Sequence, residues 1–265
     1  MRLKIEHSTH YRFETPVDYG LQQIRKTPKT NAQQHIALWE TRIEGGVKEV
    51  SYHDHHNNLV EMISYGDEVT ELTVTCAGEV EITDTQGVIG QHRGPAPLWL
   101  YQRDTPRTRA KSGVRHLLKD VGADATLDGM HRLMLGIGEA IAYEVGSSKP
   151  TWTAEDALEA GKGVCQDHAH VFLACVRSLG LPGRYVSGYL MLDHTTAQDA
   201  MHAWAEAHIE GLGWVAFDVS NGISPDARYV RVATGLDYDE ASPVSGSRVG
   251  GEGESLEIQI DVAQQ

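Results

Sequence analysis

Apolar residues recur at every second position through the first part of the chain. Leu3 and Ile5 alternate with charged neighbours, Leu72, Val74 and Cys76 keep the same period, and Val80 and Ile82 continue it. Period two marks strands with one buried face. Gly45-Gly46 and His55-His56-Asn57-Asn58 interrupt it as turns. Residues 1 to about 90 are therefore predicted to form sheet, with no long amphipathic helix. Arg93-Gly94-Pro95-Ala96-Pro97 and the polar run to Lys111-Ser112-Gly113 read as a connection between two parts of the chain.

From about residue 126 the period changes. Met130, Leu133, Met134, Ile137 and Ile141 mark one face of a helix. Thr153 with Asp156 three residues on has the form of a capping box, so a second helix starts there and ends at Gly161-Lys162-Gly163. Ala169, Phe172, Leu173 and Val176 give a third helix an apolar stripe. Gly180 suits its C′ position, Leu181 the following hydrophobic contact, and Pro182 the stop. Period two then returns: strands are predicted at Tyr185 to Leu192, Met201 to Ile209 and Trp214 to Val219, with a polar loop from Asp193 to Ala200 and a turn at Gly211-Leu212-Gly213. A last strand is expected at Leu256 to Val262, after a Gly/Ser-rich stretch, Ser245 to Gly253, that reads as mobile. The predicted class is α+β: a β-rich domain over residues 1–105, then an α+β core over 106–265 that includes the C-terminal strand.

At 265 residues the chain can bury one large core or two modest ones. A formal net charge of −14 argues against nucleic acid or an anionic membrane as partner, since both require a basic face. The three cysteines, Cys76, Cys165 and Cys175, are odd in number and lack zinc-type spacing, which suits free thiols in a reducing compartment. No stretch has the length and apolarity of a signal peptide or a membrane span, so the expected location is cytoplasmic.

Cys165 changes the picture most, because the pattern sets it at the first turn of the third helix. A helix N-terminus presents unpaired N–H groups and partial positive charge, which favour a thiolate and can receive an oxyanion. The base this nucleophile needs is His202, which alternates on its strand with Trp204, Glu206 and His208 on one face and Ala203, Ala205, Ala207 and Ile209 on the other. If the turn centres near Gly211, Asp218 lies diagonally across from His202, about 7–8 Å between Cα atoms. A carboxylate there can reach the imidazole and fix its tautomer, whereas a slip of one residue would put the two on opposite faces. Cys165, His202 and Asp218 are thus the candidate nucleophile, general base and acid, and orienting group.

Gly163-Val164-Cys165-Gln166-Asp167 with Ala169-His170, then His202-Ala203-Trp204, then Trp214 through Asp218, resembles the bacterial transglutaminase-like family of cysteine enzymes. The likeness continues through Tyr185-Val186-Ser187-Gly188-Tyr189. The segment from His7 through Tyr11-Arg12-Phe13 to Asn57-Asn58-Leu59-Val60 looks like the β-rich domain that precedes the core in such proteins, and Ser242 to Gly246 fits the tail. The resemblance implies a papain-like core, with the nucleophile helix packed on an antiparallel sheet. It implies acyl transfer through a thioester to water or to an amine, with no metal and no cofactor. Hydrolysis of a peptide or protein substrate is the favoured expectation; glutamine-directed transfer to an amine and a catalytically silent peptide-binding module are the alternatives. His168 departs from the family, where phenylalanine is usual, and reads as a tolerated aromatic replacement.

Other residues carry blander readings. Cys76 and Cys175 fall on apolar patterns and read as buried thiols. His170 reads as a hydrogen-bonded core residue, Trp204 as a packing residue that can wall the cleft, and Gln166 as an exposed first-turn residue or an oxyanion donor. His53-Asp54-His55-His56 invites a metal, but the adjoining Asn57-Asn58 turn favours a solvated hairpin end. Ser187 and Ser220 lack a nucleophile-elbow motif.

Overall fold

A computed structural model describes all 265 residues. The N-terminal part is sheet, built from β1 (Arg2–Ile24), β2 (Gln34–Glu44), β3 (Val47–His53) and β4 (Leu59–Ile82). β1 buries Leu3, Ile5, His7, Thr9, Tyr11 and Phe13 while the residues between them are more exposed, as period two requires. It pairs with β4 in antiparallel register from Arg2↔Glu81 to Ile24↔Glu61, broken by shifts between Arg12 and Tyr19. Pro16 lies in that interruption, where its missing N–H breaks no ladder bond.

The remaining chain carries β5 (Val88–Gly90), a 3₁₀ turn at Leu98–Gln102, α1 (Ser112–Val121), α2 (Leu127–Ala140), β6 (Ala142–Tyr143), α3 (Ala154–Ala160), β7 (Lys162–Gly163) and α4 (Cys165–Ser178). Then come β8 (Gly183–Leu190), β9 (Ala197–Gln198), β10 (His202–Ile209), β11 (Gly213–Phe217), β12 (Tyr229–Gly235), α5 (Tyr238–Ala241), β13 (Val244–Gly250) and β14 (Ser255–Gln264). The capping box at Thr153 forms as expected, with its hydroxyl accepting from Asp156 N and Asp156 Oδ2 accepting from Thr153 N at 2.8 Å. α4 ends in a Schellman motif: Gly180 has φ 77°, its N–H bonds Arg177 O at 2.9 Å, and Leu181 N–H bonds Val176 O at 3.1 Å.

Two findings depart from the sequence reading. α1 falls partly within the stretch read as a connection; its short amphipathic face buries only Val114 and Leu117. The Gly/Ser-rich segment is no free linker, since β13 pairs with β1 from Val17↔Gly250 to Ile24↔Val244. Its ladder needs only backbone groups, so an apolar alternation is not required there. β14 also joins β1, from Leu3↔Gln264 to Arg12↔Ser255, so the first sheet contains strands from both ends of the chain.

The second sheet is antiparallel, in the order β12-β8-β10-β11-β5. α4 packs on it where Ala203, Ala205 and Ala207 present small side chains that allow close approach. One continuous core joins α1 to α4, this sheet, and Leu3, Ile5, Val80, Ile82, Ile260 and Val262 of the first sheet. The helix-on-antiparallel-sheet core behind a β-rich region is the papain-like, transglutaminase-like architecture anticipated above.

Candidate active site

α4 begins immediately after the short parallel pair β6–β7, so Val164 is its cap and Cys165 its first residue. Valine has no side-chain acceptor, so no side chain occupies the N–H groups of the first turn. The reciprocal half of a cap is present, since Asp167 Oδ2 accepts from Val164 N at 2.8 Å. Gly163 makes that bond possible: a Cβ there would lie 2.8 Å from Asp167 Cβ and 2.9 Å from its Oδ2.

The β10–β11 register pairs Ile209 with Gly213 and Ala205 with Phe217, which centres the turn on Gly211. Continuing it sets Asp218 opposite Trp204 and diagonal to His202, as the sequence pattern required. His202 Nε2–H donates to Asp218 Oδ2 at 2.7 Å, which leaves Nδ1 unengaged, and the ring shares the cleft wall with Cys165. Burial disfavours the charged ring, but the bond to Asp218, that carboxylate's charge and the nearby Cys165 sulfur reverse that and raise the His202 pKa to about 10. The imidazolium therefore persists at neutral pH.

Asp218 is fully buried. Burial alone would raise its pKa, yet the His202 bond and charge and the bonds from Asn221 and Tyr229 hold the carboxyl below its usual range. Tyr229 OH and Asn221 Nδ2 each donate to Oδ2 at 2.7 Å, and Ser220 N–H donates to Oδ1 at 3.0 Å. Sequence reasoning named neither Asn221 nor Tyr229. Asn221 sits close enough in sequence to be a candidate, but Tyr229 is brought in by β12 and left no local signal.

Residues 115–219 match the model described as the transglutaminase-like superfamily, and residues 3–81 match the bacterial transglutaminase-like N-terminal region. The chain thus carries a transglutaminase-like core behind a bacterial transglutaminase-like N-terminal region. The chain is 27% identical to the uncharacterized protein ML0607 of Mycobacterium leprae, over 99% of both chains. It is 24% identical to the uncharacterized protein Rv2569c of Mycobacterium tuberculosis, over 98% of this chain and 92% of that one. Its fold matches that of a Cytophaga hutchinsonii protein provisionally assigned as a cysteine protease, with a TM-score of 0.80 at 19% identity over 99% of this chain and 90% of the other.

In this transglutaminase-like chain Cys165, Gln166 and His202 line a cleft of about 690 Å³ between the core and the first sheet. Trp204 does not line it; it is buried beneath His202, ring centroids 6.2 Å apart, and meets Tyr229 edge-on at 5.4 Å. His168 Nε2–H donates to Ile141 O at 3.1 Å, and Ser220 Oγ donates to His168 Nδ1 at 2.9 Å. Burial lowers its pKa, so the neutral ring ties α4 to the turn that carries Asp218. His170 is fully buried with Nε2 accepting from Tyr238 N–H at 3.2 Å, and burial lowers its pKa to about 3.

All three cysteines are free; Cys76 and Cys175 are buried and Cys165 is partly exposed. The His53–His56 segment is the hairpin end expected, with His53 and His55 exposed, but one of its residues turns inward. His56 is buried, with Nε2 bonded to Glu240 at 2.7 Å and Nδ1 to Tyr101 OH at 3.1 Å. Donor atoms of His55, His56 and Glu240 lie within 4.8 Å of one another, but both ring nitrogens of His56 already have protein partners. No helix is long and apolar enough to cross a membrane.

Proposed function

We propose that this protein is a cysteine-dependent amide hydrolase acting on peptide or protein substrates through a thioester. The observation that carries the reading is His202, held by Asp218 and sharing one cleft wall with Cys165 at the start of α4. In the first step Cys165 Sγ attacks the amide carbonyl carbon, and the oxyanion is received by N–H groups at the start of α4, with the Gln166 amide in reach of the same cleft. His202 passes its proton to the leaving nitrogen as the C–N bond breaks, which leaves an acyl-Cys165 thioester and a free amine. In the second step the now neutral His202 takes a proton from water, hydroxide adds to the thioester, and the C–S bond breaks to release a carboxylic acid, which loses its proton to solvent, and to return Cys165 and His202 to their starting state. Asp218 keeps the ring in the one orientation that serves both steps. No metal or cofactor enters. An amine in place of water would give transfer instead of hydrolysis. The acidic surface disfavours nucleic acid and anionic membranes as partners, and a cytoplasmic location accords with three free thiols.

The test is incubation with a broad peptide library, with and without an added primary amine, read by mass spectrometry against Cys165→Ala. Shortened peptides that require Cys165 are expected. A mass gain of the amine on glutamine would replace hydrolysis with transfer. Silence in both arms, with a Cys165 that still alkylates, would remove the hydrolase reading.

A further inference from the structure

Two lysines on one short segment, Lys26 and Lys29, pack against the rest of the protein, the first buried and the second half-buried, and their surroundings differ. Lys29 Nζ donates to Asn58 Oδ1 at 2.8 Å, to His56 O at 3.2 Å and to Thr234 Oγ1 at 3.4 Å, which engages all three of its N–H groups. Lys26 is only 1% exposed, lines the catalytic cleft, and has one partner, the Thr9 hydroxyl. That hydroxyl is committed onward. Having accepted from Lys26, Thr9 Oγ1–H donates to His7 Nε2 at 3.2 Å, and His7 Nδ1–H donates to Tyr189 OH at 3.0 Å. The chain runs in one direction and leaves two ammonium protons of Lys26 unpaired.

No carboxylate answers this charge. Elsewhere in the cleft wall, Arg248 is paired with Glu254 and His202 with Asp218. The thiol near Lys26, Cys76, is kept neutral because burial pushes its pKa up. Burial lowers the Lys26 pKa to about 8, so the ammonium survives at neutral pH despite its setting. A buried cation with unused donors costs free energy unless an anion completes it. Gln22, 8% exposed and in the same wall, gives Nε2–H to Tyr65 OH at 3.3 Å while its Oε1 has no partner. Whichever way that amide is turned, one end is free to bond a peptide group.

We propose that the cleft wall formed by Lys26, Thr9 and Gln22 is a specificity subsite for a substrate carboxylate, with Lys26 taking the charge and Gln22 an adjoining peptide group. The proposal deepens the hydrolase reading and rests on it for the location of the scissile bond. The carboxylate is either an acidic side chain or a free C-terminal carboxylate; the chemistry is shared. The protein's net negative charge makes the recognition short-range, since the long-range field repels an anion.

The test uses matched peptide pools that differ only as Glu against Gln at each position, and as free C-terminal acid against amide. Hydrolysis is followed by mass spectrometry, and binding to Cys165→Ala protein is followed by calorimetry. Wild-type protein is expected to favour the carboxylate member of a pair at least tenfold in kcat/KM, with the pool that shows it identifying the carboxylate's source. Lys26→Met is expected to bring the ratio to about one, and Gln22→Leu to weaken both members together. Thermal melting confirms that each variant folds; should Lys26→Met not fold, Lys26→Gln takes its place. Hydrolysis with no preference in any pair overturns the subsite and leaves the hydrolase reading standing. Carboxylate-selective binding to Cys165→Ala, lost in the Lys26→Met double variant but without wild-type turnover, upholds the subsite and removes the hydrolase reading. Equal binding of both members overturns the subsite whatever the turnover.

Discussion

Asp218→Asn isolates the charge that holds His202. The ring's pKa rises from an ordinary 6.5 to about 10, with burial opposing the change and the Asp218 bond, its charge and the nearby Cys165 sulfur producing it. That difference favours imidazolium by about 5 kcal/mol. If the carboxylate supplies half, the asparagine variant loses about 2.5 kcal/mol and the His202 midpoint falls to about 8. The same loss applied to a barrier that needs the charged ring slows the acylation step roughly 10²-fold. Nitrogen NMR of labelled histidine from pH 5 to 11 reads the midpoint, and the alkylation rate of Cys165 at pH 7 reports the pair without a known substrate. Stability gives an independent readout. Because the folded pKa is above the unfolded one, His202 contributes fully below about pH 6.5, and the contribution fades as the pH rises through about 10. The wild-type melting temperature should fall across that window, and Asp218→Asn should fall less. A variant whose ring still titrates near 10, with wild-type alkylation, would show that Asp218 does not hold the charge.

Acid should act through other histidines. His7 and His170 are buried neutral, with pKa values lowered by burial to about 2 and about 3, so their stability contributions are lost as the pH falls below 6.5. Each should cost about 2 kcal/mol between pH 6.5 and 5, visible as a lower urea midpoint; an unchanged midpoint would contradict their burial. Iodoacetamide at neutral pH should modify Cys165 alone by peptide mapping, because Cys76 and Cys175 are buried and burial raises both thiols' pKa values. Gly188→Ala would place a Cβ against Val230 O and 2.5 Å from Trp204 Cη2, and Gly188 pairs with His202. It should destabilise by about 1–3 kcal/mol and slow Cys165 alkylation as the ring is displaced. Thr153→Ala should lower stability by about 1 kcal/mol in chemical denaturation and leave alkylation unchanged, since it removes only the α3 cap.

The geometry joining His202 to Asp218 was legible because it depends on two local facts, a strict alternation along β10 and a turn that glycine centres at 211. The start of α4 was legible for a similar reason, since Gly161 and Gly163 punctuate the chain just before Cys165. β13 was not, because Ser245, Gly246 and Ser247 carry no apolar period and are held by β1's backbone. α1 left a weak pattern for the same physical reason that it buries little. Tyr229 and Lys26 were out of reach altogether. Their significance lies in what tertiary packing places around them, a carboxylate for one and no carboxylate for the other.

The shared sheet also has a kinetic consequence. Thr15 Oγ1 accepts from Glu252 N–H at 2.8 Å across 237 positions of chain, and Ser245 to Arg248, Leu256 and Ile258, on β13 and β14, line the same cleft as Cys165. Local contacts can fold α4 and the β10–β11 hairpin early, whereas this wall waits on one of the longest loop closures in the molecule. The thiol and its histidine can therefore meet before any substrate channel exists, so reactivity toward small alkylating reagents should return during refolding ahead of activity on peptides.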